Sequence, residues 1–292
     1  MIGKESLLGF VQTFKMVEKI RFRSHVELNF GEDFMGYKGS QALLVKLIQF
    51  AVPYVKYIEF NFIADEWCNV VFDILSKESK QKKLAIDRLP VVNDIAKTAL
   101  TNMVEKGVLI VFKNITLFVV FQLPACNFES LTVEQNCALE WRFLKYVKCS
   151  FRKLNFSLND FCFINLRRYP ANFYVDSVEE IYSTMRSYFE CTLKFFNGIK
   201  RIFPNVNTSK IDLVPFRQVP ESYVVRTKEA ICQAPQENIH ILLQIYPARD
   251  ETRLIEFFDG QKIDENIIEW KMESNEKKTF KLQIPEKKTL VF

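Results

Sequence analysis

Glycine and histidine are scarce in this chain, and their scarcity excludes several kinds of functional site. Only 8 of the 292 residues are glycine and only 2 are histidine. Neither a Gly-x-x-x-x-Gly-Lys-Ser/Thr loop nor a Gly-x-Gly-x-x-Gly fingerprint occurs, so no phosphate-cradling loop is recognisable. His25 and His240 both fall on the polar face of a predicted strand and stand in no catalytic motif. We therefore predict no catalytic residues, no cofactor and no small-molecule substrate, and a protein that is not an enzyme.

Paired cysteines and long apolar runs are missing as well. Seven cysteines occur without a single Cys-x-x-Cys pair, a pattern typical of free, buried thiols in a reducing compartment. Zinc would need clustered Cys and His ligands, so we expect no metal site. No run approaches the roughly 18 apolar residues that cross a membrane, and residues 1–6 begin no signal peptide. These features predict a cytoplasmic or nuclear protein that does not contact a membrane.

Phenylalanine, by contrast, is abundant, with 28 residues, and hydrophobic residues make up 48% of the chain. Charged residues make up 26% and the net charge is +5. This is the balance of an ordinary globular protein, long enough to bury a substantial core in one or two domains. The modest net charge does not by itself indicate nucleic-acid binding.

Strand-like and helix-like patterns alternate along the first 110 residues. Strands are predicted at 20–30, 55–62, 83–89 and 108–112, and helices at 42–50, from Asp65 and from Asn93 or Asp94. The strands recur every 25 to 35 residues or so, which favours a parallel sheet with right-handed crossovers. We therefore predict an α/β fold, a leucine-rich-repeat-like arc of strands and helices. Its repeats would be degenerate, because the Leu-x-x-Leu-x-Leu-x-x-Asn consensus is missing.

After about residue 205 the helical patterns are replaced by short β-type runs. These runs are 211–214, 223–226, 239–246, 253–258, 267–272, 280–284 and 289–292. Ile268 and Trp270 are predicted to face Phe280 and Leu282 across a hairpin. Four prolines between 204 and 237 mark a seam. We predict an α/β repeat-like region at 1–204 and a β-rich C-terminal region at 205–292, which can share one core.

The middle of the chain predicts a strand followed by an amphipathic helix. Ser177 and Glu180 form a Ser-x-x-Glu capping box, and apolar residues from 178 to 189 follow at helical spacing. Ahead of them, residues 172–176 alternate as a half-buried strand does. We expect Trp141, Phe156 and Ile181 to be buried in the core.

Three short segments in this region carry a family resemblance. They are Leu139–Lys145, Arg152–Ser157 and Phe173–Ile181. In this order they resemble the FTH domain, a nematode module found behind an F-box in many substrate-recruiting proteins. Trp141-Arg142 stands in place of the family's Trp-Lys, and the family's His-Phe pair before the second strand is absent. The match covers about 50 residues, and the pattern at 274–284 is similar to the end of that domain.

The resemblance implies a non-enzymatic scaffold or adaptor for protein–protein interaction, which recruits a regulatory or ubiquitin-pathway partner in development. In that family the F-box contacts the Skp adaptor of a ubiquitin ligase. An F-box needs a Leu-Pro start and roughly 45 residues that form three helices, whereas this chain goes almost at once into the strand predicted at 20–30. We therefore expect a relative without an evident F-box.

Basic side chains outnumber acidic ones between residues 142 and 168, and aromatic residues interleave with them. The basic residues are Arg142, Lys145, Lys148, Arg152, Lys153, Arg167 and Arg168. Such a patch fits a solvated surface, a surface for an acidic protein, or a grip on single-stranded nucleic acid. We predict that it binds an acidic surface of another protein. The alternative is an RNA-binding regulatory module that uses the same residues.

Overall fold

The computed structural model describes residues 4–38, 40–61, 65–133, 144–159, 174–186, 191–214, 219–245 and 251–284. Within these ranges lie eight α-helices and 14 strands, and most neighbouring strands are parallel. The predicted α/β class with parallel strands is therefore confirmed. The chain divides into two compact units, residues 1–137 with 146–151 and residues 138–145 with 152–292. The predicted seam at 204–237 lies inside the second unit.

The described part of the first unit contains seven strands of sheet, with helices between the parallel strands. Its helices are α1 (Lys4–Lys15), α2 (Gln41–Ala51), α3 (Asp65–Lys77), α4 (Asp94–Glu105) and α5 (Leu117–Gln122). Its strands are β1 (Lys19–Phe22), β2 (Val26–Phe30), β3 (Asp33–Tyr37), β4 (Tyr57–Phe60), β5 (Lys83–Asp87), β6 (Leu109–Ile115) and β7 (Asn127–Val133). The strand order is β7-β6-β5-β4-β1-β2-β3. From β1 through β4 to β7 neighbouring strands are parallel, whereas β2 and β3 are antiparallel.

Sequential parallel strands with right-handed crossovers bring all the connecting helices to one face of this sheet. The apolar residues of the strands point to that face: Phe22 stacks on Trp67 of α3 with ring centroids 5.4 Å apart, and Phe60 stacks on Phe72 at 6.3 Å. Each buried aromatic side chain contributes about 1.5–3 kcal/mol. The alternate residues of the strands point to the opposite face, which carries polar and charged side chains.

The second unit repeats this scheme with seven strands and three helices among its described residues. The helices are α6 (Leu193–Ile202), α7 (Glu221–Gln233) and α8 (Glu251–Phe258). The strands are β8 (Ser150–Asn159), most of which lies in this unit, β9 (Glu180–Arg186), β10 (Thr208–Val214), β11 (Asn238–Gln244), β12 (Gln261–Asp264), β13 (Ile267–Met272) and β14 (Asn275–Gln283). The order is β8-β9-β10-β11-β14-β13-β12, parallel from β8 to β14 and antiparallel from there to β12.

Several predicted elements are confirmed. The helices predicted at 42–50, from Asp65 and from Asn93 are α2, α3 and α4, and the Asn93 side chain accepts a hydrogen bond from the Ala96 N–H as an N-cap does. The strands predicted at 55–62, 83–89 and 108–112 are β4, β5 and β6. The predicted hairpin is β13–β14, in which Trp270 pairs with Phe280. No helix in the described part of the chain is long and apolar enough to span a membrane.

The single strand predicted at 20–30 is wrong, because the structure folds this segment into the antiparallel pair β1–β2. The Arg23 N–H donates to the carbonyl of His25, which closes a turn between the two strands. Ile20 lies opposite Leu28, so both are buried on the helix side of the sheet. Apolar and polar residues therefore alternate on both sides of the turn, and the sequence pattern does not reveal it. The strand β3 and the helix α1 were not predicted.

The helix predicted from the capping box at residue 177 is also wrong, because residues 180–186 form β9. Ile181 and Met185 are buried and four apart, which satisfies a helical pattern, but Ser183 between them is buried too. Tyr182 and Thr184 are half-buried, so the segment alternates as a strand does. The expected burial of Ile181 is confirmed, at 1% exposure. Ahead of it, residues 174–176 of the predicted strand have no regular structure.

The expectation that helices end near residue 205 is wrong as well. The runs at 223–226 and 253–258, predicted as strands, lie in α7 and α8. In α7 the buried residues Tyr223, Val224, Thr227, Ala230 and Ile231 recur at helical spacing. A short window rich in valine and tyrosine favours a strand, and only the longer window shows this period. The runs at 211–214 and 267–272 lie in strands, as do residues 239–244 of the run at 239–246. Residue 246 and the run at 289–292 lie outside the described residues.

Candidate interaction surface

The polar face of the first unit's sheet gathers charged side chains from five neighbouring strands. The strand register aligns one row across β2, β1, β4, β5 and β6, and this row consists of Glu27, Arg21, Glu59, Asp87 and Lys113. Lys19 and Tyr57 lie in the adjacent row. We refer to Lys19, Arg21, Arg23, Glu27, Glu59, Asp87, Arg88 and Lys113 as the Glu59 cluster.

Glu59 lies beneath four cations. Its carboxylate oxygens are 2.9 Å from Lys19 Nζ, 3.2 Å from Arg21 Nε, 3.4 Å from Arg23 Nη2 and 3.6 Å from Arg88 Nη1. Burial alone would raise the pKa of Glu59. The hydrogen bond and charge of Lys19, with further contributions from Arg23 and Arg21, outweigh burial and hold this pKa below its ordinary value. Glu59 is therefore ionised at neutral pH and anchors the cations around it.

The two signs of charge are separated by depth within the Glu59 cluster. Glu27, Glu59 and Asp87 are only 6–8% exposed. Glu27 also pairs with Arg21 at 3.2 Å and Arg23 at 3.6 Å. The side chains of Lys19, Arg21, Arg23 and Arg88 are 23–49% exposed. An approaching molecule would therefore meet the cations first, and five cations stand against three carboxylates in the cluster.

A tyrosine–aspartate pair supports the centre of this cluster. The Tyr57 hydroxyl donates to Asp87, and Asp87 also accepts from Asn114 Nδ2 at 2.8 Å. Burial, followed by this hydrogen bond and the charge of Asp87, raises the pKa of the Tyr57 phenol. Lys19 and Lys113 lie over the Tyr57 ring, with Nζ 4.0 and 5.0 Å from its centroid. The ring is therefore covered by cations.

Two residues at the ends of neighbouring strands adopt left-handed backbone conformations beside this cluster. Arg88, just after β5, has φ 54°, and Asn114, in β6, has φ 49°. The Arg88 N–H donates to the carbonyl of Lys113, which ties the two strand ends together. A left-handed arginine costs about 1–2 kcal/mol, and such conformations cluster at functional sites. Here they accompany the contacts of Arg88 to Glu59 and of Asn114 to Asp87.

The polar face of the second unit's sheet carries a related but different arrangement. The Tyr182 hydroxyl donates to Asp212, 30 residues along the chain, which is the separation between Tyr57 and Asp87. Burial and then this hydrogen bond raise the pKa of Tyr182. Glu180 pairs with Lys153 at 3.0 Å and Lys210 at 2.8 Å. Burial would raise the pKa of Glu180, but the two lysines outweigh it and lower this pKa.

The structure describes four of the seven residues of the predicted basic patch. Lys145 and Lys148 are exposed. Arg152 lies 3.7 Å from Glu179, and Lys153 lies 3.0 Å from Glu180, so part of their charge is compensated. Arg142, Arg167 and Arg168 lie outside the described residues, as do Trp141 and the side chain of Phe156. Whether the seven form one binding surface stays a prediction.

The Glu59 cluster was not predicted, although the sequence carries part of its signal. Arg21 and Glu27 alternate with apolar residues in the segment that was predicted as a strand at 20–30. Arg21 and Glu59 are 38 residues apart, and only the pairing of β1 with β4 brings them together. The register of parallel strands depends on the whole sheet, so this contact has no local signature.

Each of the two histidines lies within hydrogen-bonding distance of a neighbouring polar side chain. His25 lies in the turn after β1, not on a strand as predicted, with Nε2 3.2 Å from Glu27. His240 lies on the polar face of β11 as predicted, and its Nδ1 is 3.0 Å from the Thr279 hydroxyl. Burial, then the charges of Lys210 and Lys281, lowers the pKa of His240. Among the described residues, no group of His, Cys, Asp and Glu could hold a metal ion.

Comparison of the chain with protein-family models, curated proteins and solved structures finds no match.

Proposed function

We propose that the chain is a non-enzymatic protein–protein interaction scaffold or adaptor that binds an acidic partner through the Glu59 cluster. The observation that carries this proposal is the separation of charge by depth: nearly buried carboxylates hold a layer of half-exposed cations. The ion pairs already restrict the lysine and arginine side chains in the free protein. Binding therefore costs less side-chain entropy. Arginine forks suit carboxylate partners because they bind them bidentately.

The chemistry of the cluster favours a protein over a nucleic acid. Single-stranded nucleic acid is gripped by aromatic faces on which its bases stack, but Lys19 and Lys113 cover the Tyr57 ring. An acidic peptide needs no stacking surface, and its carboxylates can match individual arginines.

The sheet geometry supports the same function. Consecutive parallel strands with their helices on one face leave the other face free to bind, as in a leucine-rich-repeat-like arc. The resemblance to the FTH domain implies the same recruiting role, with a regulatory or ubiquitin-pathway partner in development. On this proposal the protein acts in the cytoplasm or the nucleus, and Lys145 and Lys148 of the predicted patch are secondary to the Glu59 cluster.

The test measures binding of a fluorescent peptide rich in Asp and Glu by anisotropy. We expect the double variant Arg23→Gln/Arg88→Gln to weaken binding about tenfold or more at low salt, and less at higher salt, because two of the most exposed cluster charges are lost. The matched control Lys145→Gln/Lys148→Gln removes the same charge from the predicted patch and should change affinity by no more than about twofold. Circular dichroism checks that both variants are folded.

Two outcomes would overturn the proposal. One is an equal loss of binding in both double variants, which would indicate general charge attraction. The other is that single-stranded RNA binds more tightly than the peptide and that its affinity falls with the Lys145→Gln/Lys148→Gln change. Affinity purification with and without nuclease provides the parallel assay, since a protein partner survives nuclease and one tethered by RNA does not.

A further inference from the structure

The strand β3 ends the sheet of the first unit and presents an open edge. It pairs with β2 on one side, and no described strand pairs with its other side. Residues 33–36 are all exposed. An exposed edge strand is a template for another strand unless the sequence protects it.

The hairpin that joins β2 to β3 determines which backbone groups point outward. Its two-residue turn, Gly31-Glu32, has Gly31 at φ 68°, and Phe30 pairs with Asp33 on either side of it. The pair that flanks a two-residue turn is hydrogen-bonded, and such pairs alternate along an antiparallel ladder. Asp33, Met35 and Tyr37 therefore bond to β2. The N–H and C=O groups of Phe34 and Gly36 point away from the sheet.

The side chains along this edge are apolar. Phe34 is 70% exposed and Met35 is 43% exposed. Beside Met35 lies a groove of about 610 Å³ lined by Thr13, Met16, Glu18, Phe30, Gly31, Asp33 and Met35. Met16, from the end of α1, is itself 71% exposed. Apolar side chains around open backbone groups are typical of an interaction edge.

The edge strand of the second unit, β12, is protected in ways that β3 is not. β12 carries Lys262 and an irregular register between Lys262 and Asp264. An edge lysine and a bulge both discourage a further strand. β3 reads Asp-Phe-Met-Gly-Tyr, with no lysine, arginine or proline. The two edges of the same chain thus differ in the features that control strand addition.

We propose that two copies of this chain associate through β3, paired antiparallel about a two-fold axis at Met35. In this register Phe34 lies opposite Gly36 of the second copy, and both form hydrogen-bonded pairs with their outward N–H and C=O groups. The register uses all the outward groups of Phe34 and Gly36 on both copies. A two-fold axis requires such self-complementarity.

The side chains of β3 match the same register. The Phe34 ring of each copy covers Gly36 of the other, a pairing in which an aromatic ring shields a glycine in a strand. Met35 meets its own copy beside the groove. Asp33, the single charged residue of β3, lies opposite the Tyr37 hydroxyl and away from its own copy, so no like charges face each other. A second copy therefore satisfies the edge without any other partner.

The first test is the mass of the protein in solution across a roughly hundredfold concentration range, by analytical ultracentrifugation. We expect a concentration-dependent dimer, and we expect Phe34→Lys and Met35→Lys to give a monomer, because a charge on the edge opposes strand pairing. Both side chains are exposed, so the monomer should fold. The matched control Ile263→Lys alters an exposed residue of β12, 48% exposed, and should leave the dimer intact.

The second test fixes the register by oxidation. Opposite residues of a non-hydrogen-bonded pair have Cα atoms about 4.5 Å apart, within the roughly 4.4–6.8 Å that a disulfide spans. Met35→Cys should therefore crosslink to its own copy. Asp33→Cys, about 13 Å from its own copy at four residues of offset, should not exceed the background of the wild-type thiols. A monomer at every concentration, a dimer that survives both lysine variants, or equal crosslinking at 33 and 35 would overturn the proposal.

Discussion

The two polar faces of this protein share one structural device and differ in how they distribute charge. In each unit a tyrosine donates to an aspartate on the next parallel strand, two residues beyond its own register partner. In the first unit four cations, three of them arginines, surround Glu59. In the second, Glu180 and Glu269 each hold two lysines.

The tyrosine–aspartate pair that the two units share follows from sheet geometry. The difference between their charge clusters is what bears on the proposed function. A tyrosine that donates to an aspartate on the next strand gives two partly or fully buried polar groups a hydrogen-bond partner, as such groups generally have. A carboxylate paired with two lysines is an ordinary feature of a polar sheet face and contributes little energy where solvent reaches the lysines. Three arginines around a single carboxylate, with a left-handed Arg88 among them, exceed what the sheet requires. Under the proposed function, the first unit is therefore the one that would bind the partner.

The largest expected loss of unfolding free energy comes from the apolar side of the sheet, a feature present in both units. Ile58 in β4 and Ile181 in β9 are both 1% exposed, and each neighbours the tyrosine of its unit. Truncation to alanine at either position should cost about 2–5 kcal/mol of unfolding free energy, because a cavity replaces buried methylenes. Urea unfolding measures this, and Ile181→Val should cost only about 0.5–1.5 kcal/mol. An Ile181→Ala variant as stable as wild type would contradict the placement of this residue in the core.

The next largest effect is a difference in unfolding free energy between variants of Glu59 and of Glu180. The Glu59 side chain is 10% exposed and the Glu180 side chain 21%. Glu59→Gln should cost about 2–3 kcal/mol, because it leaves four cations clustered without their counter-charge. Glu180→Gln removes a better solvated carboxylate that pairs with two lysines, so it should cost about 1 kcal/mol or less. Equal losses in urea unfolding would mean that the two clusters differ in composition but not in energy.

The sequence predicts the alternating elements of the first unit well because their signals are local. Asn93 caps α4 through a side-chain contact three residues away, and the apolar stripe of α3 spans several turns. β9 was mistaken for a helix because Ile181 and Met185 fit both periods. The segment is a strand because it pairs in parallel with β8 and β10. These partners are distant in sequence, so the local propensity of residues 180–186 carries no information about them.

The candidate site was harder to predict for the same reason. The basic patch at 142–168 was chosen because its charges are close in sequence. The Glu59 cluster draws on four separate segments, and in sequence Glu59 stands alone between apolar neighbours Ile58 and Phe60. A charged residue inside an otherwise apolar strand indicates that residues of opposite charge lie on the neighbouring strands. Identifying those partners requires the register.

A smaller effect tests the shared tyrosine–aspartate device. Tyr57→Phe and Tyr182→Phe each remove one hydroxyl and leave the ring in place. Asp87 is 6% exposed and would keep the Asn114 donor but lose the tyrosine hydroxyl, so Tyr57→Phe should cost about 1–2 kcal/mol. Asp212 is half-buried and can recruit water, so Tyr182→Phe should cost about 0.5–1 kcal/mol. Thermal or urea unfolding of the two variants provides the comparison, and a larger loss for Tyr182→Phe would reverse it.

The smallest effect is the pH dependence that the two glutamates contribute. The pKa of Glu59 and that of Glu180 are lowered from 4.5. A depressed carboxyl pKa adds stability that is fully present above the unfolded-state pKa and is lost as pH falls through the folded-state pKa. The difference in unfolding free energy between wild type and Glu59→Gln should therefore be constant near neutral pH and shrink below about pH 4.5.

The same pH series compares Glu59 of the first unit with Glu180 of the second and with an exposed glutamate. Glu180→Gln should show a smaller decline over the same acidic window. Glu78→Gln is the control, because Glu78 also has a pKa lowered by the hydrogen bond and charge of Lys80 but lies in an exposed pair, whose energy solvent screens. Urea unfolding at several pH values between about 7 and 3 measures all three differences. A Glu59→Gln difference that stays constant into the acid range would show that the four cations do not act through the charge of Glu59.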